Sequence, residues 1–185
     1  QEVNQVFFEV VKVPKENLVG EENKGWTYAK YLLEFERGNT YSPSLYRGIE
    51  QLKSIGKETP IGGGLNLGDD ADFLNKLNQC EIEVQALEFV ELRIFSALSA
   101  GQRVGPESSI LKCRGTELQQ KIQELSVEAI GYWSSPFVYD TFANINEPSI
   151  GPDYAMTIAP SYFNGRKTTI YAGSNAVSYT HLRAH

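Results

Sequence analysis

DADFLNKLNQCEIEVQALEFVELRIFSALSAG, residues 70–101, spaces Phe73, Leu77, Cys80, Val84, Leu87, Ile94 and Leu98 in alternating steps of four and three, broken only at Glu91, where another apolar residue is due. Such spacing lays one apolar stripe along a helix, the pattern of a bundle rather than of a strand. Asp69 and Asp70 stand ahead of the run as an N-cap pair, and the stretch from Gly101 to Pro106 closes it. Downstream, Leu111, Leu118, Ile122, Leu125 and Ala129 share one helical face, so a third helix runs from Pro106, well suited to a first turn, to about Gly131. Upstream, Trp26, Ala29, Leu32, Leu33 and Phe35 fall at helical spacing, and Leu45, Ile49, Leu52 and Ile55 resume beyond Pro43. These predict one helix over about 25–57, bent or broken at Pro43 because proline removes a donor and crowds the preceding turn. Gly56, Pro60 and Gly62-Gly63-Gly64 form the loop that follows it. Three long helices joined by short loops imply an antiparallel, mostly α bundle.

The ends differ from this pattern. Val6 to Pro14 reads as a β-strand, the remnant strand of a β-domain, with no partner strand visible afterwards. From Tyr132 to Pro160 four prolines interrupt any helix, large aromatics (Tyr132, Trp133, Phe137, Tyr139, Phe142, Tyr154) recur, and no Lys or Arg occurs between Lys121 and Arg166. A loop of that length is a lid, a binding loop, an interface or aromatic cover over the bundle. Asn164 to Ile170 resumes as helix or strand.

Composition removes several classes of function. The 185 residues carry 41% hydrophobic and 22% charged side chains and a formal net charge of −6, which leaves no basic field for nucleic acid. The two cysteines, Cys80 and Cys113, stand alone rather than at the C-x₂₋₄-C spacing of a structural zinc site, so no metal is expected. Cys80 and Cys113 are expected as buried thiols. No run approaches the roughly 18 apolar residues of a membrane span, and the first residues lack a signal peptide, so the expected location is cytoplasmic, of bacterial type, or otherwise intracellular and soluble. Both ends of the chain look cut.

Two blocks at opposite ends form a recognisable pair. Val13-Pro14-Lys15-Glu16-Asn17-Leu18-Val19-Gly20, then Gly25-Trp26, then Phe35-Glu36-Arg37, resembles the junction of flavin-dependent acyl-CoA dehydrogenases at which the middle β-domain passes into the C-terminal helical bundle. Arg166-Lys167-Thr168-Thr169-Ile170-Tyr171-Ala172-Gly173-Ser174-Asn175 resembles that family's closing active-site motif, and Ser108-Ser109-Ile110-Leu111-Lys112 is similar to the start of its third bundle helix. The resemblance implies residues 1–24 as the end of the middle β-domain and linker, and 25–175 as the bundle domain. Residues 176–185 lack the family's continuation and read as a non-native tail, set apart from the fold.

In most of the family the base that removes the α-proton of the thioester is a Glu in the closing motif, where this chain has Ala172. The resemblance to the subgroup of isovaleryl-CoA and long-chain acyl-CoA dehydrogenases, which carry that Glu on the first bundle helix before an Arg, makes Glu36 the expected base and Arg37 a residue that lines the pocket or orients it. Locally Glu36 is one of two acids, with Glu34, in a helical run; the paired Ala172 singles it out. By resemblance, the backbone of Ala172 and Gly173 lies along the thioester and Ser174 and Asn175 touch FAD. Two family turns depart here: Lys57-Glu58-Thr59-Pro60-Ile61-Gly62-Gly63-Gly64 replaces Arg-x-x-Phe-Gly, and Glu128-Ala129-Ile130-Gly131-Tyr132 replaces Gln-x-x-Gly-Gly-x-Gly, which leaves Glu128 and Gly131 as its cofactor contacts.

A divergent branch acting on steroid, aromatic or dicarboxylic acyl-CoA fits the long aromatic loop by analogy. The implied partners are an acyl-CoA thioester, electron-transfer flavoprotein or a similar acceptor, and a homo- or hetero-tetramer; this polypeptide by itself is expected neither to bind FAD tightly nor to turn over. Residues 1–175 contain no His, a poor basis for a Ser-His hydrolase and a natural one for carboxylate-plus-flavin chemistry. Two alternatives stay open: a non-catalytic subunit of a heteromeric dehydrogenase, and a helical-bundle interaction module without chemistry.

Overall fold

The computed structural model describes residues 4–36, 40–102, 105–136 and 150–183, with side chains except those of 33–36 and 181. The chain divides into two compact units, Gln1–Glu36 and Arg37–His185.

In the first unit, helix α1 spans Gly25–Glu36 after a single 3-10 turn at Lys15–Asn17. The Tyr28 hydroxyl accepts a hydrogen bond from the Glu21 amide (2.9 Å), which folds the polar linker back onto the helix. Val6–Val13 is not a strand: no ladder forms there among the described residues, and its side chains are exposed. β-branched residues favour a strand only where a neighbouring strand takes up their backbone groups.

The second unit is the bundle. Helix α2 (Ser42–Glu58) leads through a hairpin, β1 (Pro60–Gly62) and β2 (Leu65–Asn66), to α3 (Ala71–Ser99), α4 (Ser108–Ile130), α5 (Ile158–Gly165) and α6 (Asn175–Arg183). α4 is the hub and packs against α2, α3, α5 and α6. Ile49 and Leu52 of α2, Val84 of α3 and Leu111 of α4 are fully buried in one core that takes in the whole α3 stripe. Each such side chain contributes about 1.5–3 kcal/mol of burial. The expected Asp70 cap is present, with its Oδ1 accepting from the Phe73 amide at 2.8 Å. Cys80 and Cys113 are buried and free, and burial pushes both thiols up, which makes them inert.

Three further expectations change. The helix predicted over 25–57 is two helices, and Pro43 does not break it: it sits in the first turn of α2, where a missing N–H costs nothing. The glycine loop contains a hairpin, in which Gly63 (φ 63°) and Gly64 (φ 80°) supply the two left-handed positions of a tight I′ turn. Pro160 likewise lies in the first turn of α5, inside the supposed helix-free region. The segment set apart at 176–185 coils through Arg183 as α6, with Ser178 buried and the Tyr179 hydroxyl donating to Glu117 of α4 at 2.5 Å. Phe137, Tyr139, Phe142 and Pro148 of the aromatic loop lie outside the described residues. Of its flanks, Trp133 covers Gly151, and the Tyr154 hydroxyl meets Thr59 Oγ1 at 3.0 Å.

Glu91, the exception in the α3 stripe, is only 2% exposed. Its Oε1 accepts from the amides of Tyr41 (2.6 Å) and Ser42 (3.1 Å), and its Oε2 from the Ser42 hydroxyl (2.5 Å). A carboxylate on one helix thus caps the N-terminus of another, satisfying amides with no intrahelical partner and meeting the positive end of the helix dipole.

Candidate functional site

The closing motif forms a turn between α5 and α6, laid on α4. Gly165 ends α5 against the Gln123 amide, which would have to swing aside to admit a Cβ there. A 3-10 turn follows at Arg166–Thr169, with Thr168 buried and its hydroxyl returned to Gly165 O at 2.8 Å.

Two side chains of α4 hold that turn by its backbone. Gln120 Nε2 donates to Gly165 O (3.2 Å) and Arg166 O (3.1 Å), with Thr168 Oγ1 at 3.3 Å. Lys112 Nζ donates to Thr168 O at 2.5 Å and stands 5.2 Å from the centre of the Tyr171 ring. Burial pushes the Lys112 ammonium down from its ordinary value, offset in part by Cys113, so its charge there is costly and the carbonyl and aromatic face compensate it. Arg166 returns the contact: Nη2 donates to Gln120 O at 3.2 Å while the guanidinium stacks 4.1 Å from the Tyr162 ring.

The tip comes next. Ala172 (φ 53°) and Gly173 (φ 90°) are consecutive left-handed residues, both exposed. For alanine that conformation is strained by about 1–2 kcal/mol, and it persists only where the flanks dictate it. The flanks do. On the far side Asn175 Nδ2 donates to Thr116 Oγ1 at 3.1 Å, and Ser174 Oγ accepts from the Val177 amide at 3.4 Å to open α6.

The structure therefore brings Ala172, Gly173, Ser174 and Asn175 together on one turn. Glu128 and Gly131 lie at the other end of α4, roughly 20 Å from Thr116 at about 1.5 Å per residue. Glu36 is the last residue of α1 in the first unit. Its side chain, and all of Arg37, lie outside the described residues.

The residues expected to hold FAD fit it unequally. Gly131 (φ 53°) has open space where a Cβ would be, so a ligand can approach its backbone, and the Ser174 hydroxyl keeps a proton to donate. The Asn175 amide is committed inward to α4, and Glu128 is an anion bonded to Lys76, which suits neither a phosphate nor a flavin carbonyl. A cleft of about 290 Å³ between α2, α4 and α5, lined by Ser44, Arg47, Gln51, Gln123, Ser126 and Ser161 among others, contains no carboxylate and cannot supply a base.

Gln120 escaped the sequence reading, because a glutamine on a helix has no signature until its partner is known. Glu91 did leave a signal, the gap in the stripe.

The family model of the acyl-CoA dehydrogenase C-terminal domain matches residues 23–184. Two acyl-CoA dehydrogenases of Mycobacterium tuberculosis are similar in sequence. FadE26 is 27% identical over 134 residues, covering 70% of this chain and 34% of its own. FadE29 is 28% identical over 140 residues, covering 75% and 35%. The chain thus spans about a third of the length of these relatives. Among solved structures, the ChsE4–ChsE5 complex of the same organism superposes with a TM-score of 0.68 at 24% identity over 92% of this chain and 42% of that one, which shows the shared fold. The chain belongs to the acyl-CoA dehydrogenase family, as a domain of its C-terminal helical type.

Proposed function

We propose that the full-length protein is an FAD-dependent acyl-CoA dehydrogenase that removes hydrogen across the α,β-bond of an acyl-CoA thioester, with Glu36 as the base. The observation that carries this reading is the state of Ala172: the closing turn is built and clamped around a residue whose methyl group cannot accept a proton. A carboxylate must then come from elsewhere, and Glu36, directly before Arg37 at the end of α1, supplies it.

In the reaction the Glu36 carboxylate takes the α-proton, breaking the α C–H bond and forming O–H, while the electron pair spreads onto the thioester carbonyl. An apolar pocket that raises the carboxylate toward the working pH makes it effective. The developing charge on the carbonyl oxygen calls for preformed donors, which the exposed backbone at Ala172 and Gly173 can offer. When bound, FAD supplies the acceptor for the β-hydride, which no side chain can be. Ser174 and Gly131 are the residues of this chain suited to hold it, alongside the parts of the protein that precede this domain. Electron-transfer flavoprotein or a similar acceptor would take the electrons onward, and a tetramer is the expected assembly. The long aromatic loop supports a bulky, non-linear acyl group.

A second reading, the non-catalytic subunit of a heteromeric dehydrogenase, is favoured by the inward Asn175 amide and the Lys76-bound Glu128. The test is flavin reduction by acyl-CoA thioesters in the full-length protein and in Glu36→Gln. Loss of reduction by three orders of magnitude or so in the variant, with flavin still bound, supports Glu36. Unchanged reduction sinks its assignment, and a parent protein without flavin sinks the enzyme reading altogether.

A further inference from the structure

We propose that Gln120 and Lys112 are positioning residues that hold the Ala172–Gly173 turn at the height needed to meet a thioester carbonyl. The proposal rests on the dehydrogenase reading above. The turn has two strained or left-handed residues at its tip and little burial of its own: Ile170, Tyr171, Ala172 and Gly173 are all exposed. Packing therefore cannot set its position, and hydrogen bonds must.

They come from one face of α4. Three carbonyls on the approach, those of Gly165, Arg166 and Thr168, accept from Gln120 or Lys112 at 2.5–3.2 Å. The Arg166 guanidinium closes the loop back onto Gln120 O at 3.2 Å, a reciprocal pair that fixes both the height and the rotation of the 3-10 turn. One helical turn earlier than Gln120, Thr116 holds Asn175 on the exit side at 3.1 Å. Entry and exit of the turn are thus tied to residues 112, 116 and 120, whose i, i+4, i+8 spacing puts them in one row. These ties anchor residues 165–168 on one side and Asn175 on the other, so the short span that carries Ala172 and Gly173 is held at both ends on α4. Donors displaced by about 1 Å from a developing oxyanion lose on the order of 100-fold in rate, whereas ground-state binding, spread over the whole thioester, changes little.

Proton abstraction can be read without the hydride step. Acetyl-CoA has α-hydrogens and no β-hydrogens, so its exchange of methyl protons in deuterated water, followed by mass spectrometry, reports the base and the carbonyl donors alone. In the full-length protein, Gln120→Leu is expected to lower the maximal exchange rate about 10–100-fold, with the acetyl-CoA concentration for half-maximal rate changed less than about threefold. Lys112→Met, which removes the Thr168 tie on its own, should do the same, and Lys112→Arg should recover most of the rate; this pair decides the matter if Gln120→Leu does not fold. Exchange within about twofold of the parent in the folded variants overturns the positioning role and leaves the dehydrogenase reading intact. A parent that exchanges the α-protons of neither acetyl-CoA nor a bulky acyl-CoA overturns that reading, and this proposal with it.

Discussion

Replacing Glu91 sets two opposed energies against each other. The α3 stripe asks for an apolar residue at this position, and a leucine there would add about 2 kcal/mol of burial. The start of α2 asks for the carboxylate, because Glu91 accepts from the Tyr41 amide, the Ser42 amide and the Ser42 hydroxyl at 2.6, 3.1 and 2.5 Å. Ser42 is buried, so removing the acceptor strands its amide, and Tyr41 is only partly open to water. Each stranded donor costs about 1–3 kcal/mol. For Glu91→Ala the stranded amides and the space left behind sum to about 3–5 kcal/mol, or roughly 10–15 °C in melting temperature for a domain of this size.

Glu91→Gln keeps one accepting oxygen and turns its NH₂ toward the Ser42 hydroxyl, which can rotate to accept. The loss there is the charge alone, about 1–2 kcal/mol. Glu91→Leu regains burial but strands the same amides, so it should remain about 1–3 kcal/mol less stable than the parent. Urea unfolding followed by far-UV circular dichroism, with an unchanged denaturant slope, measures all three. The expected order is parent, Gln, Leu, Ala. A leucine variant more stable than the parent would refute the argument, since stripe packing would then outweigh the cap.

Gly115 of α4 is buried under the Tyr41 ring, and a Cβ there would overlap it. Gly115→Ala should cost about 1–3 kcal/mol, and the cost should shrink in a Tyr41→Leu background; additivity in that double-mutant cycle would deny the contact. The Tyr179 hydroxyl is pushed up to about 12 by its hydrogen bond to Glu117 and by burial. Its folded value lies above the ordinary 10, so the stabilisation is complete below pH 10 and is lost as pH rises toward 12. Thermal unfolding of the parent should therefore decline more steeply over that range than that of Tyr179→Phe, and parallel curves would rule the bond out as a contributor.

The bundle was legible because its signal is periodic and redundant. Seven apolar positions on α3 agree with one another, so Glu91 could break the stripe without hiding it. The misreadings share a different cause. Pro43 and Pro160 are compatible with a helix start and incompatible with a helix interior, and which of these applies depends on where the preceding segment goes. Val6 to Val13 has strand composition, but a strand is a property of two segments, and composition describes one. Ala172 at φ 53° is likewise invisible from its identity, since alanine disfavours that conformation and adopts it only because both flanks are tied.

The row on α4 shows why the rest of the candidate site was hidden. Lys112, Thr116, Gln120 and Gln123 fall at helical spacing, and a row of polar residues on a helix ordinarily denotes its solvated face. Here three of them bond to residues 165–175, and Gln123 lies against Gly165. A turn that must present its own backbone to a ligand cannot bury that backbone in apolar packing, and its remaining carbonyls still need donors. The element that supports such a turn must therefore be polar along the contact, and so looks like surface until the turn is in place. Gln120 is the extreme case: it meets two carbonyls with one NH₂ and accepts Arg166 through its own backbone oxygen, yet its identity alone would suit any exposed helix position.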